Sequence, residues 1–120
     1  METVAVVGAS PKEDRYSNKA IRMLTEYDHT PVPVAPKHET IEGLKVFHSL
    51  DSLDQTVDTV TVYLGPARQA AVIDQIIGLA PKRVIFNPGT ENPEAQQKLE
   101  AAGIQVVEAC TLVMLKTNQF

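Results

Sequence analysis

The sequence predicts an α/β fold: a doubly wound, Rossmann-like parallel sheet with helices on both faces, making one three-layer domain over residues 1–120. Three observations carry that prediction. Val4-Ala5-Val6-Val7-Gly8-Ala9-Ser10 is an apolar run that stops abruptly in small residues, and a helical pattern begins near Ser17. Short apolar runs then alternate with helical periods to the end of the chain, with no repeat, linker or low-complexity tract. Strands alternating with helices imply parallel pairing through right-handed crossovers. The 120 residues, 43% of them apolar, are enough for one core.

Thr3 to Val7 is too short for a helix and rich in Val, as a strand buried on both faces should be. Ser17 to Tyr27 reads as a helix with Ala20, Met23, Leu24 and Tyr27 on one face. Asp28 follows it and tolerates a left-handed turn. Val32 to Ala35 reads as the second strand. Pro31 and Pro33 suggest a peripheral strand or irregular pairing early in it, because neither can donate to a ladder. Leu44 to Phe47 reads as a short third strand at the sheet edge, and Ser49 to Leu53 as a brief helical turn. The stretch from Pro36 to Gly43 is too short for a crossover helix.

Thr59 to Tyr63 is the next strand, followed by a helix over Ala67 to Ile77. Arg83 to Phe86 is a further strand. Asn92 caps the next helix, with Pro93 at its first position and Glu94 complementing the dipole. Ala95, Leu99 and Ala102 form its buried stripe, and Gly103 ends it. Gln105 to Val107 is the last strand. Leu112 to Leu115 is apolar and fits either helix or strand.

Composition narrows the function. The formal net charge is -4 and Trp is absent, which argues against nucleic-acid binding. No apolar run is long enough to cross a membrane and the start lacks a signal-peptide pattern. The lone Cys110 cannot form an internal disulfide, so a reduced, cytoplasmic setting is expected. His29, His38 and His48 lack metal-ligand spacing and are expected at the surface, and no metal site is expected. No catalytic constellation can be argued from the order of residues.

Ligands of such sheets bind at the carboxyl ends of the strands. There the sequence places Gly8-Ala9-Ser10-Pro11, Pro36-Lys37, Gly65-Pro66 and Asn87-Pro88-Gly89. Gly and Pro also end strands without any ligand, but four such segments on one edge favour a shaped groove. The Gly-Ala-Ser loop lacks the second and third glycines of the dinucleotide fingerprint. It nevertheless suits amides around Ala9 and Ser10 that hold a diphosphate, with Arg15 and Ser17 adding a cation and a hydroxyl. Lys37 stands where an NAD-binding domain usually carries Asp or Glu. A cation there suits an extra phosphate on the ribose, present in both NADP and coenzyme A. The Asn87 amide and the turn after it could meet a ligand's polar arm. Cys110 is either a small buried residue or a thiol beside a bound ligand.

Taken together, Val6-Val7-Gly8-Ala9-Ser10, Arg15-Tyr16-Ser17, Val34-Ala35-Pro36-Lys37, Gly43 to Leu50, Asn87 to Asn92 and Glu108 to Thr111 resemble the small bacterial CoA-binding proteins. That family is similar in fold to the CoA-binding domain of succinyl-CoA synthetase alpha subunits. The resemblance implies that Gly8, Ala9, Ser10, Arg15, Tyr16 and Ser17 meet the diphosphate. It implies that Pro36-Lys37 meets the phosphorylated ribose, and that Pro66 with Asn87, Pro88 and Gly89 lines the adenine or pantetheine path. Two departures stand out: Ala35 precedes Pro36 where relatives often have Asn, and Ala109 precedes Cys110 where many have Arg. The synthetases' catalytic histidine lies on a separate domain, so ligase chemistry is not implied. The leading expectation is a binding or regulatory module for CoA or acyl-CoA without catalysis of its own. A small NADP-linked oxidoreductase and a nucleotide-sensing interaction protein are the alternatives. A small-molecule nucleotide is the expected partner.

Overall fold

The Val-rich opening forms β1 (Thr3–Val7), and four of its five residues are buried. In the computed structural model, which describes residues 1–120, it is followed by α1 (Tyr16–Glu26) and β2 (Thr30–Val34). A hairpin of β3 (Thr40–Ile41) and β4 (Leu44–Lys45) leads to a 3-10 turn at Leu50–Ser52. Then come β5 (Thr59–Val62), a 3-10 turn at Pro66–Arg68, α2 (Ala70–Leu79) and β6 (Arg83–Phe86). The chain finishes with α3 (Pro93–Ala101), β7 (Gln105–Glu108) and α4 (Thr111–Lys116). The ambiguous Leu112–Leu115 run is therefore helical.

The main sheet has five parallel strands in the order β2-β1-β5-β6-β7. The chain moves from β1 outward to β2 and then returns to β5 on the other side of β1. The order reverses between β1 and β5, and there the crevice opens at their carboxyl ends. Helices cover both faces. Ile73, Ile76, Ala95 and Leu99 from α2 and α3 pack on Ala5, Val60 and Val84. Ile21, Leu24 and Leu115 from α1 and α4 pack on Val4 and Val6 on the opposite face. The doubly wound Rossmann-like architecture is as the sequence predicts. No helix is long and apolar enough to cross a membrane.

The expected third strand is cut down to one bridge, Phe47 against Val34. The cause lies in β2. The Thr30 N–H donates to Glu2 across the β1 side, and alternate residues face outward. Pro31, Pro33 and Ala35 face outward, and only Ala35 carries an N–H, which donates to the Phe47 carbonyl at 3.0 Å. Leu44 and Lys45 pair instead with Ile41 and Thr40.

Smaller departures have local causes. Tyr27 is 40% exposed rather than on the buried stripe, because it is the C-cap of α1. Ala102 is exposed for the same reason at the end of α3, and Ile104 takes its place in the core. The expected helix from Ala67 splits into the 3-10 turn and α2. His29 is half-buried rather than on the surface: its Nδ1 accepts from the Glu2 N–H and its ring meets Phe120 edge-on at 4.9 Å.

Candidate functional site

The turn after β1 is built tightly against its neighbours. Gly8 has φ +86, and a Cβ there would lie 3.1 Å from the Tyr63 carbonyl carbon and oxygen and from Leu64 Cδ2. Both the dihedral and the contact disfavour a side chain. The Gly8 and Ala9 N–H groups donate to the Val34 carbonyl at 3.1 and 3.2 Å. The Ala9 amide is thus committed within the fold, which corrects the expectation that it is free for a diphosphate. The Ser10 N–H has no partner in the chain. The first turn of α1 likewise has no capping side chain and no acidic residue.

The loop from Ser10 to Arg15 is braced from α1 by residues that the sequence reading passed over. Asn18 is fully buried, and its Nδ2 donates to the Ser10 carbonyl at 2.9 Å and to the Glu42 carboxylate at 3.2 Å. Arg22 donates to Asn18 Oδ1 and to the Glu13 carbonyl, both at 2.8 Å. Two side chains one turn apart therefore fix the loop that carries Arg15.

A cleft of about 510 Å³ opens beside this turn. Gly8, Ala9, Arg15, Pro36 and Lys37 all line it, so the glycine turn and Lys37 share one cavity. His38, His48 and Arg68 line it as well, and sequence reasoning missed all three. No Asp or Glu lines the cleft. The ion pairs of the chain engage Lys82, Arg83 and Lys98, and leave Arg15, Lys37 and Arg68 unpaired; the His48 imidazole lies 3.6 Å from the Glu39 carboxylate. Leu50, Leu64 and Val72 supply apolar wall between these charges. Such a cavity suits a ligand that carries more than one anionic group and a flat apolar part.

A smaller hollow of about 260 Å³ adjoins the cleft through Gly8, Arg15 and Tyr63, which line both. It takes in Ser10, Tyr16, Ser17, Pro88 and Gly89. Tyr16 is 68% exposed, and the Lys19 ammonium sits over its ring at 5.3 Å. Two expected site residues lie apart. Pro66 lines a separate depression between α2 and α3. Asn87 is buried and its amide is fully engaged inside the fold. Its Nδ2 donates to Thr61 Oγ1 at 2.6 Å and to the Val62 carbonyl at 2.9 Å, while its Oδ1 accepts from the Thr111 N–H at 2.9 Å. The expected Asn87 contact with a ligand arm is thus replaced by a clamp joining β5, β6 and α4.

Beneath the junction of the two hollows sits Tyr63. Its hydroxyl is buried without a hydrogen-bond partner, since the nearby Thr61 and Thr111 hydroxyls pair with each other at 2.8 Å. Burial, with Cys110 close by, holds the phenol above the ordinary tyrosine range. Cys110 itself is half-buried and free.

The fold and edge define a doubly wound α/β protein with a cationic cleft at its topological switch point. Residues 2–116 match the model of the CoA binding domain family, and the chain belongs to that family. It is 27% identical over 104 residues to the uncharacterized protein YneT of Bacillus subtilis (strain 168), covering 87% of this chain and 77% of YneT. A crystal structure of an uncharacterized protein is similar at TM-score 0.95 and 39% identity, covering 100% of this chain and 98% of the other. The dinucleotide-forming acetyl-coenzyme A synthetase 1 of Ca. Korarchaeum cryptofilum, solved with phosphate and ADP, shares the fold at TM-score 0.79 and 21% identity. That likeness covers 90% of this chain and 25% of the synthetase.

Proposed function

We propose that this protein binds coenzyme A or an acyl-CoA across the carboxyl edge of its sheet, as a binding or regulatory module without chemistry of its own. One observation carries the reading. The glycine turn, Arg15 and Lys37 border a single cavity that no carboxylate lines, in a chain whose net charge is -4. Coenzyme A carries two separated anionic groups, a diphosphate and a ribose phosphomonoester, and the cavity carries separated cations to match. Arg15, the Ser10 N–H and the uncapped start of α1 face the diphosphate. Pro36 and Lys37, at the end of β2, face the phosphorylated ribose. The smaller hollow, with Tyr16, Ser17, Pro88 and Gly89, receives the pantetheine arm. Asn87 shapes that path through the turn it anchors, and Pro66 through the 3-10 turn it begins. Membership of the CoA binding domain family supports the same ligand.

Calorimetry with CoA, dephospho-CoA, NADP and NAD tests the assignment. A charge-assisted contact contributes about 1.5–3 kcal/mol, so CoA should bind roughly 10- to 100-fold tighter than dephospho-CoA. Lys37→Ala should narrow that gap. Equal binding of CoA and dephospho-CoA would refute the role of Lys37. Tighter binding of NADP than CoA would replace the ligand.

A further inference from the structure

The cleft holds a third unpaired strong cation, Arg68, which neither the phosphate-loop pattern nor the end of β2 accounts for. It stands on the segment that follows β5, whereas Lys37 stands on the segment that follows β2. The two strands flank β1 on opposite sides. Adjacent strands are about 4.8 Å apart, so the two segments leave β1's flanks about 10 Å from each other. Both residues line the same cavity, Lys37 from the β2 side and Arg68 from the β5 side.

The backbone beneath Arg68 is anchored. Pro66 opens the 3-10 turn and the Arg68 N–H donates to the Gly65 carbonyl at 3.0 Å. The next residue, Gln69, is fully buried. Its Nε2 donates to the carbonyls of Leu64 and Thr90, each at 2.8 Å, and its Oε1 accepts from Asn92 Nδ2 at 3.1 Å. The side chain of Gln69 therefore ties the turn to the end of β5 and to the loop before α3. The Arg68 guanidinium has no carboxylate partner, and the cavity wall offers it none. Two unpaired cations facing one cavity repel each other until an anion enters between them.

Building on the CoA reading, we infer that Arg68 is a specificity-determining residue that grips the ribose phosphomonoester from the wall opposite Lys37. A guanidinium offers a phosphate two parallel N–H donors, which an ammonium cannot do. Recognition of the phosphorylated ribose is thus shared by two segments, one after β2 and one after β5.

The test titrates wild type, Arg68→Ala and Arg68→Lys with CoA, dephospho-CoA and adenosine 3′,5′-bisphosphate, after circular dichroism has shown that the variants fold. Arg68→Ala should weaken CoA and the bisphosphate about tenfold and change dephospho-CoA by less than about twofold. Arg68→Lys should recover part of the loss, and added salt should shrink it. Equal losses for CoA and dephospho-CoA would overturn the proposal, as would an unchanged affinity for CoA. A wild type that binds the bisphosphate but not CoA refutes the CoA reading alone, since the grip is still read on the bisphosphate. A wild type that binds none of the three compounds refutes both.

Discussion

At the scale of single residues the site depends on two positions that the sequence displays and several that it hides. Gly8 is legible because an apolar run ending in small residues has few other meanings, and the structure adds the tight contact with Tyr63 that disfavours a side chain. Lys37 was legible by its place at the end of a strand. Tyr63, Asn87 and Arg68 were not, because their roles depend on where a side chain points across the sheet. Asn87, expected at a ligand's polar arm, is instead engaged by Thr61, Val62 and Thr111. Tyr63 gives a prediction. Its raised phenol keeps its proton in the folded state while the unfolded chain loses it near the ordinary value of about 10. Above that pH the unfolded state binds fewer protons, so stability falls as pH rises. Tyr63→Phe should unfold less readily than wild type in alkaline solution. Below about pH 9 it should be neutral or up to about 1 kcal/mol more stable, since it removes an unpartnered buried hydroxyl. Urea melts across pH 7 to 11 would read both; a parallel decline of the two proteins would contradict the assignment.

At the scale of elements, periodicity and caps were the readable signals. α3 follows its sequence closely: Asn92 Oδ1 accepts from the Ala95 N–H at 3.2 Å, Pro93 opens the helix, and Glu94 sits in the first turn. The helix expected from Ala67 breaks at Gln69, where a buried amide bonded to two carbonyls separates the 3-10 turn from α2. No periodicity reveals that tertiary anchor. The third strand failed for a reason visible in the sequence, since its would-be partner carries Pro31 and Pro33 on the outward side. α2 ends on Ala80 at φ 54 and ψ 54, a left-handed position without a glycine. Ala80→Gly should stabilise the protein by about 0.5–1 kcal/mol, because the relieved strain exceeds the added freedom of the unfolded chain. Thermal melting checks this, and a lower midpoint would contradict it.

Across the whole molecule the two ends of the sheet treat charge differently. At the amino ends of the strands, Arg83 meets Glu2 at 3.4 Å, Thr59 at 2.9 Å and the Phe120 ring at 4.5 Å. At the carboxyl ends, Arg15, Lys37 and Arg68 are unpaired around the cleft. Affinity for CoA should therefore fall with ionic strength. The Debye length shrinks from about 10 Å at 0.1 M salt to about 3 Å at 1 M, and the loss over that range should reach at least roughly fivefold. Dephospho-CoA should decline less steeply, having fewer charges to screen. Titrations at several salt concentrations measure the slopes, and a flat response for CoA would place the ligand away from these cations.

The prolines of β2 also guard the sheet against other molecules. A bare strand edge is a template onto which a stranger's backbone can zip, and it seeds aggregates when it is long and rich in donors. On this flank Pro31 and Pro33 offer no N–H outward, and the single donor at Ala35 is already held by Phe47. Intermolecular strand addition at that flank finds no free N–H on β2 to pair with, so the residues that shorten the sheet also blunt its edge.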